Sequence, residues 1–399
     1  MSNAPSKKVP ELRFPEFKGE WVEKRLEHGI ILVSGQHLAP TEYNNKSSGI
    51  PYFTGPSDFT NDETRCTKWT NITGHTGQKD DVLITVKGNG VGSLLFLGLK
   101  EVAMGRQLMA VRSKEYSTQF VFYTLLIRNR LFQSLAAGNL IPGLSRKDIL
   151  QAKVATPGIS EQKKIAAFLS SVDGRIEGLE KKRDLLKEYK KGLMQKLFSQ
   201  TLRFMDESGK PFPDWMEKRL EEIGRFIGGG TPSRGNGEYW TGNIPWISSS
   251  DLTEESIYEV RTTNFITETA VKESATKIVP ANSILIVSRV GVGKVAVNKE
   301  PLCTSQDFTS LYLGSGNVTF FAYAIKKEIP RLLSCNQGTS IKGFVKSDLA
   351  ELDILIPCLE EQKKIAECLS AVDRKIEAVE AQVSRTREFK QGLLQKMFV

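Results

Sequence analysis

Glu161-Gln162-Lys163-Lys164-Ile165-Ala166 recurs 200 positions later as Glu361-Gln362-Lys363-Lys364-Ile365-Ala366. The match runs on through Val172-Asp173 with Ile176-Glu177 against Val372-Asp373 with Ile376-Glu377. It closes on Lys191-Gly-Leu-Met-Gln-Lys-Leu-Phe198 against Gln391-Gly-Leu-Leu-Gln-Lys-Met-Phe398, with 20 of 38 aligned positions identical. The repeat also reaches upstream. Trp21 to Glu27 (WVEKRLE) returns as Trp215 to Glu221 (WMEKRLE), and Leu12-Arg13-Phe14 returns as Leu202-Arg203-Phe204. Between these anchors the copies have drifted apart. Faint echoes remain: Gly90-Val91-Gly92 with Gly291-Val292-Gly293, Gln107 with Gln306, and Gly138 and Ile141 with Gly338 and Ile341. A period of this length is too long for a solenoid and fits two tandem domains with spacers.

The similar segments read as long helices. From Glu161 to Phe198 there is no proline, and apolar residues return every seven positions. One row holds Ile165, Val172, Leu179, Leu186 and Leu193; the other holds Leu169, Ile176, Arg183, Lys190 and Leu197. The second copy gives Ile365, Val372, Val379, Thr386 and Leu393, with Leu369, Ile376, Val383, Lys390 and Met397. This is a coiled-coil seam diluted in its middle. Pro157 and Pro357 mark the starts, with Ser160 as an N-cap. Thirty-eight residues make a rod of about 57 Å. Such a seam needs a partner, and the simplest is its own repeat packed antiparallel.

The segments between are mixed α/β, with mostly antiparallel strands. Asp81 to Val86 and Ser283 to Val287 are apolar runs bounded by turns, and Thr118 to Leu135 and Val318 to Leu333 read as helices. The expected architecture is thus α+β: two variable domains joined by two antiparallel coiled-coil helices in a pseudo-twofold repeat. Its blocks are an arm (1–20), a first domain (21–157), a helix (158–200), a second domain with its lead-in (201–357) and a second helix (358–399).

Composition bounds the function. Lys and Arg exceed Asp and Glu by 55 to 46, a net charge of +9 that suits a polyanionic partner. Five scattered cysteines form no metal or disulfide pattern and fit a reduced compartment. The first residues lack a signal-peptide core and no apolar run is long enough to span a bilayer, so a soluble, cytoplasmic protein is expected. Several loops combine cations with glycines that let a backbone approach a phosphate. These are Lys87-Gly88-Asn89-Gly90, Arg289 to Lys294, Gly228 to Arg234 with Thr231 and Ser233, and Gly338 to Lys342 with Thr339 and Ser340. Gln107 beside Arg106, and Gln306, could read adenine edges. An ordinary hairpin turn is the competing reading of each loop.

Catalytic signatures fail. Around Gly291-Val-Gly293-Lys294 the P-loop pattern lacks its first glycine and its Ser/Thr. Phe226-Ile-Gly228-Gly-Gly230 fits the F-x-G-x-G of adenine methyltransferases, but there is no Pro-Pro pair for the motif that holds the target base. All three histidines lie in the first copy, and no metal-ligand spacing appears.

The alternation of variable domain and similar helix, with EQKKIA, VD-x-x-IE and GL-x-QK-x-F, resembles the specificity subunit of type I restriction–modification systems over essentially the whole chain. The resemblance implies that each domain reads one half of an asymmetric, bipartite double-stranded DNA site. It implies that the helices set the spacing and dock two methyltransferase subunits acting on adenine N6. Motor–nuclease subunits would join through the complex. S-adenosylmethionine, ATP and Mg²⁺ would then belong to those partners, and this chain would be noncatalytic. The alternatives are a methyltransferase using Phe226 to Gly230 and a coiled-coil adaptor that does not touch DNA.

Overall fold

Short apolar runs bounded by turn residues become strands, and they pair in the same order twice. The computed structural model describes residues 8–88, 90–137, 143–335 and 343–399. It divides into two compact units, one of residues 1–180 with 381–399 and one of residues 181–380.

The first unit contains β1 (Val22–Arg25), β2 (Ile30–Ser34), β3 (Ile50–Phe53), β4 (Trp69–Thr70), β5 (Thr76–Gln78), β6 (Val82–Thr85), β7 (Leu94–Phe96), β8 (Glu101–Met104), β9 (Leu108–Ser113) and β10 (Lys153–Thr156). Strands β2-β9-β6-β7 form one antiparallel sheet. Strands β4-β3-β8-β5 form another, in which β3 and β8 run parallel. The ribbon β1–β10 stands apart. The helical stretch expected from Thr118 is broken at Arg128 into α1 (Thr118–Ile127) and α2 (Asn129–Ala137), and α3 (Arg146–Leu150) follows.

The long helix α4 (Ile159–Phe198) comes next. It starts one residue ahead of Ser160, which is therefore inside the helix rather than its cap.

In the second unit the strands are β11 (Met216–Arg219), β12 (Gly224–Gly228), β13 (Ile244–Ile247), β14 (Asn264–Ile266), β15 (Ile278–Val279), β16 (Ile284–Ile286), β17 (Val295–Val297), β18 (Leu302–Thr304), β19 (Thr309–Leu313) and β20 (Asp353–Ile356). Their sheets, β12-β19-β16-β17, β14-β13-β18-β15 and β11-β20, repeat the first unit, including a parallel pair, β13–β18. Helices α5 (Leu220–Ile223), α6 (Glu268–Glu273), α7 (Val318–Cys335), α8 (Lys346–Ala350) and the long α9 (Leu359–Lys396) complete it.

Both long helices contribute to both units. In the first unit, residues 159–180 of α4 lie beside residues 381–396 of α9. Asp173 meets Lys390 at 2.5 Å, and seven residues further along α4 Glu180 meets Arg387, so the helices are antiparallel. In the second unit Lys190 meets Asp373 at 2.5 Å and Lys187 meets Glu380 at 3.0 Å, the same arrangement with the roles exchanged. The seam packs as its period requires. Ile165, Leu169, Val172, Leu193, Ile365, Leu369, Val372, Ile376, Val379, Val383 and Leu393 are buried, while Ile176, Leu179 and Leu186 are half-buried. The polar seam residues Lys190 and Lys390 are each satisfied by an aspartate of the facing helix. Arg183 bonds Asp184.

Candidate nucleic-acid interface

Each recognition domain hangs on its helix by a buried polar knot that accounts for the repeated motifs. Arg13 donates from Nε and Nη2 to the two Glu161 carboxylate oxygens at 2.7 and 2.8 Å, and the Trp21 indole N–H adds a third bond at 3.3 Å. In the second copy Arg203 reaches Glu361 at 3.2 and 2.8 Å, and Trp215 does so at 3.0 Å. A buried carboxylate is tolerated only when paired and hydrogen-bonded in this way. Bonding to the glutamate holds both guanidinium groups more firmly protonated than usual. The adjoining glutamines close the junction. Gln162 accepts from the Ser117 N–H and donates to the Pro157 carbonyl; Gln362 does the same with Asn317 and Pro357. The Glu-Gln of EQKKIA, the arginine of LRF and the tryptophan before EKRLE thus form one anchor, made twice.

Away from the anchor, three loops of each unit have matching backbones. The first follows the strand of the parallel pair. Asp58 accepts from Thr54 N and Oγ1 at 2.7 and 2.6 Å, and Asp251 accepts from Ser248 N and Oγ at 2.7 and 2.8 Å. The sequence carries this echo, Ile50-Pro-Tyr-Phe…Ser57-Asp-Phe-Thr60 against Ile244-Pro-Trp-Ile…Ser250-Asp-Leu-Thr253, too short and too diverged to stand out beside the longer matches.

The second is the basic glycine loop. It joins β6 to β7 and, equivalently, β16 to β17. Lys87 and Arg289 each follow the residue that receives the amide of Leu144 or Phe344. Gly92 and Gly293 both have positive φ, +89° and +98°, and bond Thr85 O and Val287 O. A left-handed backbone favours glycine there. The side chains of Lys87 and Arg289 are exposed, and neither forms an ion pair among the described residues. Lys294 is instead tied back, donating to the Ser249 carbonyl at 2.8 Å. It precedes a strand rather than a helix, which removes the P-loop resemblance.

The third loop is the turn between β8 and β9, or β18 and β19. Gly105 N bonds Phe53 O and Ser305 N bonds Ile247 O. Val86 N bonds Gln107 O and Ser288 N bonds Asp307 O. Gln107 therefore corresponds to Asp307, and Gln306 to Arg106, correcting the pairing of the two glutamines by one residue. Arg106 and Gln306 are the exposed turn tips, and Gln107 is half-buried. Gln306 also accepts a hydrogen bond from Thr231.

The Gly228 to Arg234 segment has another purpose than phosphate approach. A Cβ on Gly229 would lie 1.9 Å from Ser305 O and one on Gly230 2.5 Å from Ala275 and Thr276, so these glycines admit the chain's own backbone. Gly35 meets Gly105 O in the same way. Gly228 has open space on that side, so the close approach of the chain's own backbone concerns Gly229 and Gly230. Ser233 accepts from the Trp240 indole, and Arg234 lies over that ring at 5.7 Å. Gly88 is exposed beside Lys87. Asn89, Thr339, Ser340 and Lys342 lie outside the described residues.

Residues 19–188 and 213–384 each match the family described as the type I restriction modification DNA specificity domain. The chain belongs to that family.

In this type I specificity chain, the two matches fall on the two copies of the repeat. The MjaVIII specificity subunit of Methanocaldococcus jannaschii is 25% identical over 397 residues, covering 93% of this chain and 89% of the relative. The MjaIX specificity subunit of the same organism is 40% identical over 173 residues. That match covers 42% of this chain and only 40% of the relative. The type I S subunit structure from M. genitalium superposes with a TM-score of 0.63 at 18% identity, covering 98% and 99% of the two chains, and shows the same fold. The family role is recognition of the DNA target, and specificity subunits are noncatalytic. No described helix is long and apolar enough to cross a membrane.

Proposed function

We propose that each unit reads one half of an asymmetric bipartite DNA site for a cytoplasmic type I complex, and that the antiparallel helices fix the separation of the halves. Methyltransferase subunits that modify adenine N6 dock on this chain, and motor–nuclease subunits join through the complex. S-adenosylmethionine, ATP and Mg²⁺ are held by those partners. The observation that carries the reading is the matched pair of basic loops. Lys87 and Arg289 occupy equivalent points of two domains with the same sheet order, while the side chains around them differ. Equivalent cations suit the phosphate backbone, which is the same in both half-sites; the differing neighbours suit different bases.

The test is Lys87→Ala and Arg289→Ala in the assembled complex, with DNA affinity followed against salt. Each variant is expected to weaken binding and to reduce the salt slope by about 1. Unchanged affinity and slope in both would place these loops outside the interface.

A further inference from the structure

The basic glycine loop of the second unit carries a side chain that the fold does not use. Val290 is 70% exposed, more than any other large apolar residue among the described residues. It follows Arg289, and the chain then turns back through Gly291 and Gly293, both at positive φ, +77° and +98°. Val292, two positions on, packs against the core of the unit. The loop thus turns one valine inward and holds the other out. A lone exposed apolar residue is ordinary on a protein surface. This one differs because its loop is fixed on both sides. The Ser288 carbonyl accepts from the Phe344 N–H, the Gly293 N–H donates to the Val287 carbonyl, and Lys294 ties the far side to the Ser249 carbonyl at 2.8 Å. A tip already ordered presents its side chain to a ligand with little further loss of freedom.

The first unit lacks this side chain. Val86 and Ser288 are equivalent, since their carbonyls receive the amides of Leu144 and Phe344. Two residues on from each, Gly88 stands opposite Val290. The two loops share their cation and their glycine return and differ at the tip. A valine side chain has no donor or acceptor, so it recognises only an apolar group. In the major groove the base edges offer one such group, the C5-methyl of thymine. The adjoining Arg289, also exposed, supplies the phosphate contact that sets such a tip against the groove.

We infer that Val290 reads a thymine through its C5-methyl group in the half-site of the second unit, and that the first unit, with Gly88 in its place, has no counterpart of this contact. This rests on the proposed DNA-reading role of the two units. One residue at one loop tip then contributes directly to the difference between the half-sites, while Lys87 and Arg289 beside it serve the backbone that both halves share.

The experiment uses the assembled complex and duplexes carrying its target, defined by sequencing the adenines it methylates. Each thymine of the target is replaced in turn by uracil, which lacks only the methyl group. One such replacement, in one half-site, is expected to weaken binding about fourfold, the worth of one buried carbon. Val290→Gly, which installs the residue of the other copy, is expected to weaken binding to the thymine duplex at least as much and to bind the thymine and uracil duplexes equally. Its salt slope stays unchanged, since no charge is lost. Equal binding of every uracil duplex by the unsubstituted complex would overturn the inference, as would a thymine preference that survives Val290→Gly. The salt series on Arg289→Ala separates this contact from the reading beneath it. A reduced slope there with a flat uracil series removes the valine contact alone. Unchanged affinity and slope in both Lys87→Ala and Arg289→Ala place the loops outside the interface, and both readings fall together.

Discussion

The two units share sheet order, anchor and helix pairing, yet they bury the same ion pair to different depths. In the second unit the Lys190 and Asp373 side chains are 10% and 6% exposed; in the first, Lys390 and Asp173 are 18% and 36% exposed. The same aspartates accept a tyrosine hydroxyl, from Tyr323 at 2.5 Å and from Tyr123 at 2.7 Å. Burial drives both phenols above their ordinary range. The second unit has also placed Lys326 where the first has Leu126, beside an open cavity of 400 Å³. Lys326 donates to the Glu254 and Glu255 carbonyls at 2.6 and 3.2 Å. Duplication preserved the polar connections, while the water around them was free to change.

The sharpest way to break the likeness is to remove residues 381–399. Leu393 and Met397, with the partly buried Phe398, pack on Trp21, Phe120 and Leu169 of the first unit. Their loss is expected to cost that unit several kcal/mol. Hydrogen exchange should show protection lost over β1, β10 and α1 and retained in the second unit. Equal loss in both would show that the units do not close independently.

The central ion pairs give the next effect. Lys190→Ala leaves Asp373 buried without its cation and should cost about 3 kcal/mol. Lys390→Ala leaves a partly solvated Asp173 and should cost about 1 kcal/mol. Urea unfolding with proteolytic assignment of the opened unit measures both. Equal costs would mean that the difference in burial has no energetic weight.

The legible part of this architecture was what repeats with a period. The seam from Ile165 to Leu393 stood out because one helix face must be apolar at every second turn, and the matched EQKKIA segments betrayed the duplication. Chemistry carried by distant partners was hidden. Nothing in the sequence says that Arg13 and Trp21 meet Glu161, or that Lys190 belongs in a seam because Asp373 faces it. The loops were half-legible. Lys87 and Arg289 were found as cations beside glycines. Gln107 and Gln306 were mispaired because a one-residue slip between two short turns leaves no trace in composition. Gly229 and Gly230 looked like phosphate contacts, since a glycine admitting its own backbone reads the same as one admitting a ligand.

The smallest expected effect concerns Lys326. Burial, and then the nearby Lys190, hold its pKa down to about 8, against 10.5 for an ordinary lysine. Below pH 8 it is charged in both the folded and unfolded states, and the cost of burying that charge is fully felt. Between pH 8 and 10.5 the unfolded chain binds the extra proton, so stability of the second unit should rise with pH. Lys326→Leu, the residue of the other copy, should stabilise that unit by about 1–2 kcal/mol at pH 7 and flatten the rise. Urea midpoints across pH 7–10.5 would show it; a slope that survives the substitution assigns the rise to another group.

The exchange of helix ends between units has a consequence during synthesis. Everything the second unit needs, residues 181–380, has been made before residues 381–399 exist. The first unit's recognition domain is finished some 200 residues before its last core side chains, a wait of about 10–40 s at ordinary elongation rates. Over that interval the socket around Trp21 is open while Leu193, Leu197 and Phe198, near-copies of the missing plug, are already at hand. The order of translation therefore favours closure of the second unit first, and the chain must release its own look-alike plug, or never seat it, for the first to close.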